Sequence, residues 1–289
     1  MLQQIGSVPV SDGRHIAYQR SGSGPPLVLV HGTADDHTIW TPLLPALTQH
    51  FTVYAIDRRG RGGSSSTDSA AYAIEREFED VAAVINATGE PAYLLGHSYG
   101  ALCALEAAQQ TRNLRRLVLY EPPFPLPPGS PISPPGTLEQ MEALLKAGDR
   151  EGTVLIFARD IAQLPEAEIT AARSSPGWQA TIAAAPTLTD EIRAVESYTF
   201  DPARFRHLTT PTLLMLGSAT PPFLQAATNA LAAALPNSQL TVLPDQGHLA
   251  MFTAPDLFTR EVVQFLTEQR DAAVADAGQL AGRRKMPLR

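Results

Sequence analysis

The chain has 289 residues, a formal net charge of -7 and 44% hydrophobic residues. This length can bury one large globular core, and the acidic balance does not favour nucleic-acid or anionic-membrane partners. The sequence has neither the apolar run of a membrane span nor the N-terminal pattern of a signal peptide. We therefore expect a cytoplasmic protein without a nucleic-acid or membrane partner, whose oligomeric state the sequence does not specify. Cys103 is the single cysteine; it excludes an intrachain disulfide and is predicted to pack in the core.

In the first part of the chain, short runs typical of strands alternate with segments of helical periodicity. The predicted strands are HIAYQRSG, PLVLVHG, TVYAIDRRG, AYLLGHS and LRRLVLY. The predicted helices between them are WTPLLPALTQHF, AIEREFEDVAAVINATG and YGALCALEAAQQ. Strands that alternate with helices indicate an α/β fold with a mostly parallel sheet covered by helices on both faces.

A proline-rich segment then interrupts this alternation. Residues 122–136 read PPFPLPPGSPISPPG, which can form neither a helix interior nor a central strand. Helical patterns follow to about residue 200, and the alternation resumes with the strands TPTLLMLGS and SQLTVLPD. We therefore predict an α/β core of residues 1–121 and 207–274, a helical cap of residues 122–206, and a disordered tail of residues 275–289.

The sequence GHSYG, from Gly96 to Gly100, follows a predicted strand and opens a predicted helix. This is the G-x-S-x-G nucleophile motif in the strand–turn–helix context that it requires. The sharp turn forces Ser98 into a strained backbone conformation and brings neighbouring backbone close, so small residues are needed on both sides. The backbone N–H of Tyr99 then lies at a helix N-terminus, where partial positive charge collects.

Three further motifs accompany this turn. HGT, at His31 to Thr33, ends one strand; DRRGRGGSS, from Asp57, follows the next; and GH, at His248, lies before the last helix. Together with GHSYG, these motifs resemble the α/β-hydrolase fold family, in its serine ester-hydrolase-like branch with a helical cap.

The resemblance implies a fold and a set of roles. The family has a mostly parallel sheet, with its site at the carboxyl ends of the strands and its cap inserted after the sixth strand. By resemblance, Ser98 is the nucleophile, His248 is the general base, and the N–H groups of Thr33 and Tyr99 form the oxyanion hole. His31 and His97 are expected to be structural. The charges of Asp57 and Arg59 are expected to brace loops.

The catalytic acid departs from the family pattern. Its commonest location, a few residues after the penultimate strand, is occupied by Thr220, which cannot act as the ionised partner of a histidine. Glu121 ends the neighbouring strand, and some family members carry the acid there. We therefore expect Glu121 to complete the triad. Asp245 or a cap acid such as Asp160 is the second possibility, and a site without an acid is the third.

The expected substrate is a small, apolar molecule with a carboxylic ester, thioester or lactone group. Trp40, Phe124, Trp178 and Phe223 are candidate substrate-binding residues, although such aromatics are more often core residues than pocket residues. The pattern of histidines and acids indicates no metal site, and no cofactor is expected. C–C bond hydrolysis, acyl transfer or perhydrolysis at the same residues remains an alternative, as does a non-catalytic ligand-binding protein on a hydrolase scaffold.

Overall fold

The computed structural model describes residues 4–66, 72–175 and 177–268. The strands are β1 (Gln4–Pro9), β2 (His15–Gly22), β3 (Pro26–Val30), β4 (Thr52–Ile56), β5 (Ala92–His97), β6 (Leu114–Tyr120), β7 (Thr212–Gly217) and β8 (Ser238–Leu243). They form one eight-stranded sheet in the order β1-β2-β4-β3-β5-β6-β7-β8. β2 pairs antiparallel with β1 and β4, and the other pairs are parallel. The predicted mostly parallel α/β sheet is confirmed.

Helices cover both faces of this sheet. Those of the core are α1 (Leu44–Leu47), α2 (Ile74–Ala87), α3 (Tyr99–Ala107), α9 (Pro222–Ala234), α10 (Ala250–Thr253) and α11 (Pro255–Thr267). The alternation of side chains along a strand separates the apolar residues into two layers. Val28 and Leu94 pack in the layer that contains α2 and α3, whereas Leu29 and Leu95 pack in the layer that contains α11. The buried strands therefore have apolar side chains on both faces, as their uninterrupted apolar sequences predict.

Five α-helices lie between β6 and β7, in the segment predicted to form the cap, and we refer to this segment as the cap. Its helices are α4 (Thr137–Lys146), α5 (Arg150–Ile156), α6 (Glu166–Arg173), α7 (Trp178–Ala184) and α8 (Leu188–Ser197). They surround an apolar cluster of their own, which includes Met141, Ile161 and Leu188. A separate apolar cluster of this kind is typical of a segment that packs as a compact unit against the rest of the protein.

A buried ion-pair network joins the cap to the core. Glu191 on α8 accepts hydrogen bonds from Arg58 at 2.8 Å and from Arg61 at 2.7 Å, in the loop after β4. Arg58 also binds Glu77 on α2 at 2.7 Å. These four side chains are no more than 2% exposed, so removing one member would leave an uncompensated buried charge.

Two parts of the predicted organisation differ from the structure or lie outside it. β1 was not predicted, because Gly6 and Pro9 disrupt the strand pattern of QIGSVP; it forms as an edge strand by pairing with β2 over its whole length. The predicted tail, residues 275–289, and the last core residues, 269–274, lie outside the described residues. Among the described helices, none has the length and apolar character needed to cross a bilayer.

Candidate active site

The nucleophile turn joins β5 directly to α3. Ser98 has φ 53° and ψ -126°. Residues other than glycine rarely adopt this backbone conformation. A Cβ on Gly96 would lie 2.5 Å from the carbonyl oxygen of Gly100, and one on Gly100 would lie 2.3 Å from that of His31. Glycine is therefore required at both positions by the close approach of backbone. The turn leaves Ser98 half-buried, at the wall of a cleft.

Glu121 follows β6, which lies between β5 and β7 as predicted. Its carboxylate is fully buried, and Oε2 lies 2.5 Å from His248 Nδ1. Since the carboxylate oxygen accepts this bond, Nδ1 carries a proton and Nε2 is left for the cleft. The residue has φ 54°, so the chain turns sharply between the strand and the prolines that follow it.

The other oxygen of Glu121 is held by the neighbouring strand. Oε1 accepts hydrogen bonds from the Gly217 backbone N–H at 2.7 Å and from the Thr220 hydroxyl at 2.5 Å. The residue at the family's usual acid position thus contacts the carboxylate that binds His248. Asp245 and Asp160, the alternative acids, are exposed and form no ion pair with His248 among the described residues.

Ser98 and His248 line the same cleft. In the described part of the chain, the Ser98 hydroxyl forms no hydrogen bond with another residue. Catalytic hydrogen bonds are commonly long in ligand-free enzymes and tighten when substrate binds. The arrangement provides a hydroxyl, an imidazole and a buried carboxylate in the order that nucleophilic catalysis requires.

The predicted oxyanion donors lie on two adjacent turns. Tyr99 is the first residue of α3, and Thr33 follows β3, the neighbour of β5. Neither backbone N–H donates to a carbonyl of the described chain. Both donors are thus available to a ligand oxygen, and the partial positive charge of the helix N-terminus adds to the donor on Tyr99.

His31 braces the oxyanion turn. Its Nε2 accepts the Arg58 backbone N–H at 3.0 Å, so Nδ1 is the protonated nitrogen and donates to the Gly32 carbonyl at 2.8 Å. Burial holds the pKa of His31 well below its usual range, as does the nearby charge of Arg58. The ring is therefore neutral and already fully bonded, which leaves it no free atom for catalysis.

His97 contacts the backbone of His248, the predicted general base. Its Nε2 donates to the His248 backbone carbonyl at 3.0 Å, and the two ring centroids are 4.6 Å apart. Burial lowers the pKa of His97 well below its usual value. This contact fixes the backbone of the loop that carries His248.

The cleft above Ser98 has an empty volume of about 400 Å³, part of it open to solvent. Its wall is mainly apolar and is contributed by both core and cap: Pro123, Ile132, Phe157, Ile161, Ala162, Ile192, Val195, Phe223 and Leu224. The polar residues are Thr33, Ser98, His248 and Glu191. An apolar cleft with a few convergent polar groups is typical of a small-molecule site.

The four predicted substrate-binding aromatics lie in different environments. Phe223 lines the cleft. Trp40 is fully buried in the sheet layer that includes α11, and Phe124 stacks on Phe200 with centroids 4.5 Å apart. Trp178 packs inside the cap cluster and donates from Nε1 to Glu151. The last three fill cores. The rest of the cleft wall is formed by Phe157 and by aliphatic side chains, which no sequence pattern distinguished from other apolar residues.

Asp57 and Arg59 lie in the loop after β4 and bind residues within this loop, in a neighbouring segment and on helix α2. Burial opposes ionisation of Asp57, but hydrogen bonds from His37 and from the Gly63 backbone lower its pKa to about 2. Arg59 binds both carboxylate oxygens of Asp80, at 2.8 and 2.7 Å. These contacts connect the loop after β4 with His37 and with Asp80 on helix α2, and they involve none of the residues that line the cleft.

One group of side chains has metal-ligand chemistry. Ligand atoms of Asp36, His37 and Asp57 lie within 4.8 Å of one another. However, His37 Nδ1 already contacts Asp57 Oδ1 at 2.7 Å, and Asp57 Oδ2 accepts the Gly63 N–H at 2.9 Å. These hydrogen bonds use the same atoms that a cation would need. We therefore interpret the group as a set of hydrogen bonds that holds two segments together.

Comparison with known proteins decides the family. The sequence profile described as "Alpha/beta hydrolase family" matches residues 27–261, which include Ser98, Glu121 and His248. This chain belongs to the alpha/beta hydrolase family. It is a hydrolase with that family's fold, and the resemblance of its motifs to the family is confirmed.

Several relatives extend over most of this hydrolase. An alpha/beta hydrolase of known structure from Sphaerobacter thermophilus is 38% identical, with a TM-score of 0.79, covering 91% of this chain and 100% of that one. An esterase from Thermogutta terrifontis is 25% identical, with a TM-score of 0.73, covering 91% and 98%. The 2-(acetamidomethylene)succinate hydrolase of Mesorhizobium japonicum is 25% identical over 86% of this chain and 90% of its own.

Sequence reasoning did not identify the contacts that hold the site in place. Thr220 appeared only as a missing acid, although its position near Gly217 could have suggested a donor to a relocated carboxylate. Glu191 had no local motif, since its partners Arg58 and Arg61 lie more than a hundred residues away in the sequence. Its position on the inner face of an amphipathic cap helix was the only available signal.

Proposed function

We propose that this hydrolase cleaves small carboxylic esters, thioesters or lactones through an acyl-enzyme on Ser98. The observation that carries the proposal is the 2.5 Å contact between His248 Nδ1 and Glu121 Oε2, in a site where Ser98 lines the same cleft. A neutral imidazole oriented by a buried carboxylate is the base that a serine hydroxyl needs near neutral pH.

Acylation begins when His248 Nε2 accepts the hydroxyl proton of Ser98 and Oγ attacks the substrate carbonyl carbon. The carbonyl π electrons move to its oxygen, which the N–H groups of Thr33 and Tyr99 stabilise. Glu121 stabilises the imidazolium that has formed. The tetrahedral intermediate then expels the alkoxide or thiolate, which takes the proton from His248 Nε2 and leaves as an alcohol or thiol.

Deacylation repeats these steps with water. His248 accepts a proton from water, and the hydroxide oxygen attacks the acyl carbon in the same oxyanion hole. When the intermediate collapses, the bond to Ser98 Oγ breaks and the serine recovers its proton from His248. Substrate and water alone balance the reaction, and the free acid leaves the cleft.

The apolar lining of the cleft favours a substrate with a small, apolar acyl group. Eight of its lining side chains are aliphatic or aromatic and come from both cap and core: Ile132, Phe157, Ile161, Ala162, Ile192, Val195, Phe223 and Leu224. Burial of apolar surface contributes roughly 25 cal/mol per Å², so each methylene that reaches this wall should strengthen binding until the volume is filled.

The test is a panel of p-nitrophenyl esters with acyl chains of two to twelve carbons, with Ser98→Ala as the control. We expect kcat/KM to rise with chain length, to pass through a maximum and to fall, and the control to be inactive on every ester. Turnover by Ser98→Ala at the wild-type rate, or no turnover of any ester by the folded wild type, would contradict the proposal.

Cleavage of a C–N bond is a second candidate. It is favoured by the name of the Mesorhizobium japonicum relative, which specifies an acetamido compound. The same triad can cleave an amide if His248 protonates the leaving nitrogen. Ester and amide pairs with the same acyl group separate the candidates, since an amide hydrolase should retain turnover on the amide whereas an esterase should lose it by orders of magnitude.

A further inference from the structure

Arg58 contacts both turns of the predicted oxyanion hole. Its side chain is 1% exposed and lies in the loop after β4. Nη2 donates to the Gly32 carbonyl oxygen at 3.0 Å, and the centre of the guanidinium group lies 4.5 Å from the centroid of the Tyr99 ring. Gly32 directly precedes Thr33, one predicted donor, and Tyr99 carries the other. A single buried side chain therefore contacts the residues on which both donors depend.

The Gly32 carbonyl oxygen and the Thr33 N–H belong to the same peptide unit. This peptide bond is trans, so its C=O and its N–H lie in one plane and point in opposite directions. Thr33 lines the cleft, whereas Arg58, which binds the carbonyl, is buried and does not line it. A donor that fixes the direction of the carbonyl on the buried side therefore also fixes the direction of the N–H.

Arg58 holds this carbonyl oxygen by two routes. Its side chain donates to the oxygen directly. Its backbone N–H donates to His31 Nε2 at 3.0 Å, and His31 Nδ1 donates to the same Gly32 oxygen at 2.8 Å. The two bonds match the two lone pairs of a carbonyl oxygen. Hydrogen bonds that converge on a carbonyl also polarise its peptide unit, which strengthens the N–H on the other side as a donor.

The guanidinium group is itself held from the core and from the cap. Nη1 donates to Glu77 on α2 at 2.7 Å. Nη2, which binds the Gly32 oxygen, also donates to Glu191 on α8 at 2.8 Å. An arginine presents its N–H donors in a rigid, planar fork, so two carboxylates that fix the fork also fix the N–H that points at Gly32. The cap thus contacts the group that orients the oxyanion turn.

We propose that Arg58 is a positioning residue for the oxyanion hole. It orients the Gly32–Thr33 peptide so that the Thr33 N–H meets the oxygen of the substrate carbonyl as that oxygen becomes negative. Its ion pair with Glu191 couples this orientation to the cap. The inference rests on the proposed function, because it takes an oxyanion formed by attack of Ser98 as the species that is stabilised.

The experiment compares two ligands that differ in one functional group. When 1,1,1-trifluoro-2-hexanone binds, a bond forms from Ser98 Oγ to the carbonyl carbon and the serine proton passes to His248. The π electrons move to the oxygen, which becomes an oxyanion. The alcohol 1,1,1-trifluoro-2-hexanol has the same chain and forms no oxyanion. Titration followed by ¹⁹F NMR gives both dissociation constants, and the ratio of alcohol to ketone measures the stabilisation of the oxyanion.

Arg58→Lys keeps the charge but replaces the planar fork by a single nitrogen. We expect ketone binding to weaken at least about 10-fold, since removal of a whole oxyanion donor costs about 10²- to 10³-fold. Alcohol binding should not change, and kcat on an ester should fall while KM stays constant. Arg59→Lys is the matched control: it disrupts a buried bidentate pair with Asp80 one residue along the chain and should leave the ratio unchanged.

Glu191→Gln changes the same network from the cap. It keeps Arg58 but weakens the attachment of its guanidinium group, so the ratio of alcohol to ketone dissociation constants should fall several-fold. Because Glu191 lines the cleft, the alcohol corrects for any direct contact between residue 191 and the ligand. This variant decides the question if Arg58→Lys does not fold.

A ratio unchanged in folded Arg58→Lys would overturn the proposal, as would an equal decrease in Arg59→Lys. If Arg58→Lys does not fold, an unchanged ratio in Glu191→Gln has the same meaning. Failure of the proposed function would have a different signature. The folded wild type would then hydrolyse no ester and would bind the ketone no more tightly than the alcohol.

Discussion

Thr220 Oγ1 donates a 2.5 Å hydrogen bond to Glu121 Oε1. The residue at the usual acid position therefore serves as a donor to an acid on the neighbouring strand. The Gly217 N–H adds a second donor at 2.7 Å. These two bonds hold the carboxylate so that its other oxygen contacts His248, and they stabilise a charge that has no access to water.

Glu121→Gln should reduce ester turnover by about 10³- to 10⁴-fold, because the imidazolium loses its counter-charge and the tautomer of His248 is no longer fixed. The amide has nearly the same shape, so the fold should be retained. The measurement is kcat on the best p-nitrophenyl ester, with a far-UV spectrum as a check of the fold. Asp245→Asn is the matched control and should remain near the wild-type rate. The reverse pattern would identify Asp245 as the acid.

Thr220→Val should lower kcat about 10-fold, because a buried carboxylate loses one of its charge-assisted hydrogen bonds. The substitution keeps the shape of the side chain and removes only the hydroxyl. Thr220→Ser restores the hydroxyl and should recover most of the rate. The measurement is the steady-state kcat of the wild type and the two variants on one ester. Equal kcat values for the three proteins would show that this contact does not affect catalysis.

Glu191→Gln should destabilise the protein by roughly 3 kcal/mol, since buried Arg61 would lose the one ion pair it forms with the described residues and Arg58 would keep only Glu77. Urea unfolding measures the effect. Glu142→Gln is the control, because the Glu142–Arg193 pair lies on the cap surface, where ion pairs contribute little to stability. Equal stability of the two variants would exclude the network as the attachment of cap to core.

Asp35 should make stability depend on pH in a defined window. Its pKa is raised from 3.8 to about 7, so the folded state holds this proton more tightly than the unfolded chain. Stability is therefore lost as pH rises from about 4 to 7, at up to about 1.4 kcal/mol per pH unit. Asp35→Asn should melt at the same temperature as the wild type below pH 4 and higher above pH 7. Identical melting curves at pH 8 would contradict this.

The fold was largely predictable because its signals are local. The runs PLVLV and TLLMLG need apolar side chains on both faces, and the turn at Ser98 needs glycine on both sides. β1 was missed because an edge strand forms through pairing, not through its own pattern. Helix α6 was not singled out, since its sequence EAEITAAR has few apolar residues and buries mainly Ile169.

The site was predictable where a motif fixes it and not where distant segments meet. Ser98, His248 and the oxyanion turns have motifs. Glu121 has none and was predicted from its place at the end of the neighbouring strand, because its contact with His248 depends on strand order. Asp35 and His97 both lie beside Gly32, although they follow or end different strands, and no spacing in the sequence brings them together. Core aromatics such as Trp40 could not be distinguished from cleft residues, because the same apolar character suits both places.

Ser98 is the activated nucleophile in the proposed mechanism. A fluorophosphonate probe at pH 7.5, followed by mass spectrometry of the labelled peptide, tests it most directly. We expect one adduct per chain, on Ser98, absent from Ser98→Ala and formed at least 100-fold more slowly in Glu121→Gln and in His248→Ala. An unlabelled Ser98 in the folded wild type, or a labelling rate unaffected by the loss of His248, would contradict the account.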